Sequence, residues 1–260
     1  MDRPSLNTGY MYSFSQPDRD ISIPKGQAVS GHSIGILVLD LGYPLLPGNV
    51  ANASTFSFPV RYRILKGTTT WQIISHDPAL LEMILEGGRE LEKDGVRAIV
   101  GACGYFGYYQ KQTVSQLNVP VFLSSLLQLS MIRQSLKPGL KIGVLCADQK
   151  GLSGEVLQAC GIEDISDLII AGVQYLPEFK NILYCTGHFN PAALERELVE
   201  FAKNLALEHP DIGALLLECS DMPPFSWSIQ RATGLPVFDF ITMINWIHSA
   251  MVQRPYCGFM

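Results

Sequence analysis

The sequence predicts an α/β fold of two pseudo-symmetric lobes, each with a mainly parallel sheet flanked by helices. Three observations predict it. Four continuous apolar runs lack polar alternation, as strands covered on both faces do. Helical patterns with start signals fall between the runs, the order that gives parallel sheets. The second half of the chain repeats the first in order and in spacing, which marks a duplication.

The apolar runs span residues 34–40, 98–103, 142–148 and 214–219. A helix is expected from residue 78 to about 93, with Pro78 at its start and Gly87-Gly88 as a weak point inside it. A second is expected from 190 to about 209, with Asn190 as N-cap and Pro191 in the first turn. Residues 126–136 and 241–252 carry apolar side chains at helical spacing. Residues 41–58 hold Pro44, Pro47, Gly48, Asn49, Asn52, Ser54 and Thr55 and read as a long loop, which in a compact domain is usually functional or disordered. Residues 1–33 are polar and aperiodic and read as an extension.

The repeat is specific. Ile34-Gly35-Ile36-Leu37-Val38-Leu39-Asp40 matches Ile142-Gly143-Val144-Leu145-Cys146-Ala147-Asp148. The runs ending at Cys103 and Cys219 match one another, and a Pro-Val-Phe tripeptide begins seventeen residues after each cysteine, at Pro120 and at Pro236. Each half therefore supplies one cysteine at the same structural address, beyond the carboxyl end of a strand. Ligands of open parallel sheets bind there. A pseudo-twofold axis would bring the two ends together across a cleft.

Composition excludes several classes. The 260 residues carry a net charge of −5, with 47% hydrophobic and 17% charged residues, so a folded core is expected and a nucleic-acid partner is not. No apolar run approaches the length of a membrane span, and residues 1–4 open no secretory signal, so a cytoplasmic location without membrane contact is expected. The six cysteines are scattered, with no C-x-x-C pair, and His76, His188, His209 and His248 lack metal-ligand spacing, so no metal is expected.

On these residues the chain resembles the aspartate/glutamate racemase superfamily, whose relatives include hydantoin racemases, maleate isomerases and arylmalonate decarboxylases. The resemblance covers roughly residues 34–252. It rests on the I-G-I-L strand, on Gly101-Ala102-Cys103-Gly104, and on Leu217-Glu218-Cys219-Ser220-Asp221-Met222-Pro223-Pro224. It implies Rossmann-like lobes with the active site between them. Residues 235–239 look like the strand that returns to the first lobe, giving a first lobe of 34–120 plus 236–260 and a second of 121–235. Family amino-acid racemases often carry C-N-T and C-T-H at the two cysteines. Here the positions read Cys103-Gly104-Tyr105 and Cys219-Ser220-Asp221, without the usual Asn and His.

The resemblance implies a cofactor-independent racemase or epimerase of a small carboxylic acid, acting as a homo-oligomer. Cys103 and Cys219 would be its catalytic acid–base pair, one thiolate removing a proton while the opposing thiol supplies another. Asn52, Ser54 and Thr55 match the family's carboxylate-binding loop. Gly104, Tyr105, Ser220 and Asp221 complete the expected substrate contacts. Ordinary turn chemistry is the alternative for the loop residues. Two other readings stay open: a maleate-isomerase-like enzyme working through a covalent cysteine adduct, and a small-carboxylate-binding protein without turnover.

Overall fold

The computed structural model describes residues 27–260. The extension expected over 1–33 lies outside the described residues up to position 26. Residues 27–33 lead into the first strand without regular structure.

The first sheet contains β1 (Ile34–Leu39), β2 (Val60–Leu65), β3 (Ala98–Gly101) and β4 (Val121–Phe122), in the order β2-β1-β3-β4. The second contains β5 (Lys141–Cys146), β6 (Leu168–Gly172), β7 (Ile212–Leu217) and β8 (Val237–Phe238), in the order β6-β5-β7-β8. Every pairing is parallel. The two orders are identical once the halves are aligned, so the duplication in sequence is a duplication of topology. The central strands are apolar because helices cover both their faces: Ile34, Ile36, Leu37, Ile142, Val144 and Leu145 are fully buried.

The helices are α1 (Thr70–Ile74), α2 (Ala79–Lys93), α3 (Gln110–Val114), α4 (Leu129–Ser135), α5 (Gly154–Ala159), α6 (Pro177–Leu183), α7 (Pro191–Glu208), α8 (Ser226–Thr233) and α9 (Phe240–Met251). Helix α7 starts as its sequence predicts, with the Asn190 side chain accepting from the Ala193 N–H at 3.0 Å and Pro191 next in line. The expected weak point in α2 is instead a contact surface. A Cβ at Gly87 would press on Leu37, Leu65 and Arg63, and one at Gly88 on Leu117, so the glycines let the helix settle closely on the sheet.

One expectation is corrected. Val237–Phe238 does not return to the first lobe; it pairs with β7 in the second sheet. Helix α9 makes the return. Its Phe240, Met243, Ile244 and Ile247 pack on Ile34, Ile36, Ala98 and Val100 of the first sheet. Likewise β4, at 121–122, closes the first sheet beside β3 rather than opening the second. Pro120 and Pro236 precede these two short strands, which is why the tripeptide recurs at one spacing.

Candidate active site

Cys103 follows β3 by two residues and Cys219 follows β7 by two. Both therefore stand beyond the carboxyl ends of equivalent strands, and both line one cavity between the sheets. Ser220 joins the two turns, its Oγ donating to the Ala102 carbonyl at 2.8 Å, and Ser125, beyond β4, holds the Cys219 turn to the first lobe, its Oγ 3.2 Å and 3.1 Å from the Leu217 and Glu218 carbonyls. These buried bonds fix one lobe against the other where the cysteines sit.

The cysteines have different surroundings. The nearby backbone N–H groups of Tyr105 and Phe106 favour the Cys103 thiolate, yet burial first and the Glu218 charge second push that thiol well above its ordinary range. The Cys219 thiol donates to Asp221 Oδ2 at 3.5 Å. Burial, then Asp221, then Glu218 push it up strongly as well. Asp221 is itself raised by burial, while three donors stabilise its charge: the Tyr43 hydroxyl at 3.0 Å, the Asn49 amide at 2.6 Å and the Cys219 thiol.

Glu218 is the other acid. It is fully buried, and burial pushes its carboxyl up to about 8. Its Oε2 accepts from the Ala147 N–H at 3.2 Å, and its Oε1 has no hydrogen-bond partner among the described residues. The remaining wall is mostly apolar: Leu39, Leu41, Ile73, Phe179, Ile182 and Leu183. No Lys, Arg or His is among the lining residues described. The free space between these walls is narrow, about 40 Å³.

Of the expected contacts, Gly104, Tyr105, Ser220 and Asp221 line the cavity with both cysteines. The Tyr105 hydroxyl is engaged with the Asp148 backbone, donating to its carbonyl at 2.7 Å and accepting from its N–H. Asn52, Ser54 and Thr55 do not reach the lining. The Asn52 side-chain oxygen Oδ1 accepts from the Ser54 N–H and hydroxyl, and the Thr55 hydroxyl bridges Gly48 and Asn49, so their polar atoms close their own turn. The loop instead contributes Leu41 and Tyr43 to the lining, and Tyr43 and Asn49 hold Asp221. Sequence reasoning missed Glu218. Its signal was a lone charge between an apolar strand and a cysteine.

The fold defines a class. The chain superposes on unliganded arylmalonate decarboxylase with a TM-score of 0.53 at 14% identity, covering 86% of this chain and 94% of that one. Allantoin racemase from Pseudomonas fluorescens gives 0.53 at 15% identity, covering 87% and 100%. Aspartate racemase from Picrophilus torridus gives 0.51 at 19% identity, covering 84% and 93%. The fold is that of the aspartate/glutamate racemase superfamily. No family model matches the sequence. Sequence relatives are narrower. A dimethylsulfoniopropionate lyase from Durusdinium sp. clade D is 32% identical over 236 residues, covering 87% of this chain and 77% of the relative. A dimethylsulfoniopropionate lyase 3 from Emiliania huxleyi is 29% identical over 236 residues, covering 87% of this chain and 61% of the relative. The chain belongs to the dimethylsulfoniopropionate lyase family.

This corrects the functional expectation. The relatives are lyases, so the racemase or epimerase reading falls, and the cis–trans isomerase and binding-protein readings fall with it. The physical reason is simple: a cysteine that removes a proton beside a carboxylate begins racemisation and elimination alike. The sulfurs do not encode what happens next. The relatives are enzymes, as the paired cysteines predict. Among the described residues, no helix is long and apolar enough to cross a membrane.

Proposed function

We propose that this chain is a lyase that eliminates a sulfide from a small β-sulfonio carboxylate, dimethylsulfoniopropionate being the substrate its relatives' names supply. In that molecule the sulfonium is bonded to the carbon β to the carboxylate. A base takes the α-proton, a double bond forms between the α and β carbons, and the C–S electron pair leaves on sulfur. The products are dimethyl sulfide and acrylate, with the proton left on the base. No oxidant, reductant or second substrate is needed.

The observation that carries the reading is the Cys219–Asp221 pair in the shared cavity. An isolated thiolate beside two buried acids is unfavourable. Moving the thiol proton onto Asp221 makes a thiolate without adding charge to the site, so Cys219 is the base. The substrate then brings the positive charge the lining lacks, which further favours the thiolate once it is bound. Cys103 positions the carboxylate end together with the backbone N–H groups of its turn, where negative charge builds as the α-proton leaves. Elimination returns no proton to carbon, so the two cysteines need not be equivalent.

Incubating the purified chain with dimethylsulfoniopropionate tests the proposal. Equal molar release of dimethyl sulfide and acrylate is expected. Absence of both, with the protein folded, overturns it.

A further inference from the structure

We infer that Glu218 is the counter-ion that makes this site select acids bearing an onium group over neutral acids of the same shape. The inference rests on the lyase reading and deepens it.

The residue occupies an unusual position. It ends the apolar run of β7, directly before Cys219, and its side chain is fully buried. One carboxylate oxygen is held by the Ala147 N–H, the other is buried without a partner, and the residue is part of the cavity lining. An orphaned buried oxygen is costly unless a ligand completes it. Nothing in the protein wall does so, since the lining residues described include no cation. Asp221 cannot serve in its place, because Tyr43, Asn49 and Cys219 already occupy its oxygens.

The surroundings fit one ligand chemistry. A methylated sulfonium or ammonium carries charge but no N–H or O–H, so it needs a negative partner and apolar walls rather than hydrogen-bond acceptors in a fixed geometry. Glu218 supplies the charge, and Leu41, Ile73, Phe179 and Ile182 supply the walls. Gly104 lets the carboxylate settle against the backbone of the Cys103 turn: a Cβ there would overlap the Glu218 carboxyl group.

The charge of Glu218 depends on its occupant. The groups that face it are Cys103, Tyr105, Cys146, Cys160, Cys219 and Asp221, and none of them is a cation. Burial and the Asp221 charge keep the empty carboxyl protonated up to about pH 8. An arriving onium favours the ionised form and expels that proton. Onium affinity therefore rises with pH up to about 8 and then levels.

Two non-reacting probes separate charge from shape. The first is 3-(trimethylammonio)propionate; the second is 4,4-dimethylpentanoate, its carbon isostere, whose tail is uncharged. Calorimetric titration of the full chain at pH 9 should show the onium binding about tenfold or more tightly, a difference typical of one partly desolvated ion contact. E218Q should bring the two within about twofold. Wild type at pH 7, titrated in buffers of different ionisation heat, should release close to one proton per onium and none per neutral acid. That measurement stands even if E218Q fails to fold. A preference retained in folded E218Q, equal proton release by both probes, or failure of wild type to bind either probe overturns the inference. Charge selection without dimethyl sulfide release would instead sink only the lyase reading.

Discussion

Trp71 and Tyr184 meet edge-on with ring centroids 5.6 Å apart, one from α1 and the other from the residue that ends α6. These helices occupy equivalent places in the two lobes, each after the second strand of its sheet, and both line the cavity. Beside the ring pair, Thr70 Oγ1 lies 3.5 Å from Cys185 Sγ. Among the described residues, the two non-glycine residues with positive φ, His76 at 56° and Cys185 at 50°, follow these same two helices. Left-handed backbone at such residues is held by its surroundings. His76 is held by stacking on Tyr108 at 4.5 Å and by a 3.1 Å contact to the Gly151 carbonyl.

On the lyase reading, α1 and α6 are expected to part to admit an acid of eight heavy atoms into this narrow cavity. Thr70→Cys places a second thiol next to Cys185. Under mild oxidation the two should form a disulfide that ties the helices together. Turnover should then fall by about tenfold or more and return on reduction, while wild type treated alike keeps its rate. Free-thiol titration with an activity assay checks this. An oxidised variant that remains active would show that the helices need not separate.

The two cysteines should respond unequally to substitution. Cys219→Ser removes the base and should lower kcat for elimination by about 10³-fold or more. Cys103→Ser removes a positioning thiol but leaves its backbone N–H groups, and should cost about 10–100-fold. Equal losses, measured by dimethyl sulfide release with melting curves as controls, would contradict the assignment of Cys219 as sole base.

Asp221→Asn keeps the contacts to Tyr43 and Asn49 sterically possible but cannot take the Cys219 proton. The Cys219 thiolate must then form by losing its proton to solvent. Activity near pH 7 should drop by about 10²-fold and recover part of the loss as pH rises, whereas Asp221→Glu should keep more activity than Asn. A flat pH profile in the Asn variant would argue that Asp221 only shapes the site.

Stability should also depend on pH through Glu218. Its folded carboxyl titrates at about 8 and its unfolded one near 4.5. Between those values the folded chain keeps a proton that the unfolded chain has released. The contribution is therefore fully present below about pH 4.5 and is lost as pH rises through about 8. Wild type should lose on the order of 5 °C in Tm between pH 6 and pH 9 relative to E218Q, which has no such proton to lose. Calorimetry across that range checks the sign. A wild-type curve parallel to that of E218Q would mean that Glu218 is not protonated in the folded state.

The fold was legible because strands covered on both faces show as unbroken apolar runs, and because the Ile34 and Ile142 segments repeat. The cysteine addresses followed from that repeat. The carboxylate loop was misassigned because Asn52, Ser54 and Thr55 look alike whether they bind a ligand or close a turn; only coordinates separate them from Asn49 three residues earlier. Helices α1 and α6 span five and seven residues, too short for a 3.6-residue period to declare itself, so the cover of the site was invisible. Val237–Phe238 was placed on the wrong sheet because a two-residue strand carries no mark of its partner.

The absence of Lys, Arg and His from the described cavity lining also bears on how the cycle ends. Once the sulfonium leaves as an uncharged thioether, the remaining alkenoate shares an enclosure with two acids and no side-chain cation to detain it. On the lyase reading acrylate should therefore inhibit feebly, because no side chain of that lining offers it an opposite charge.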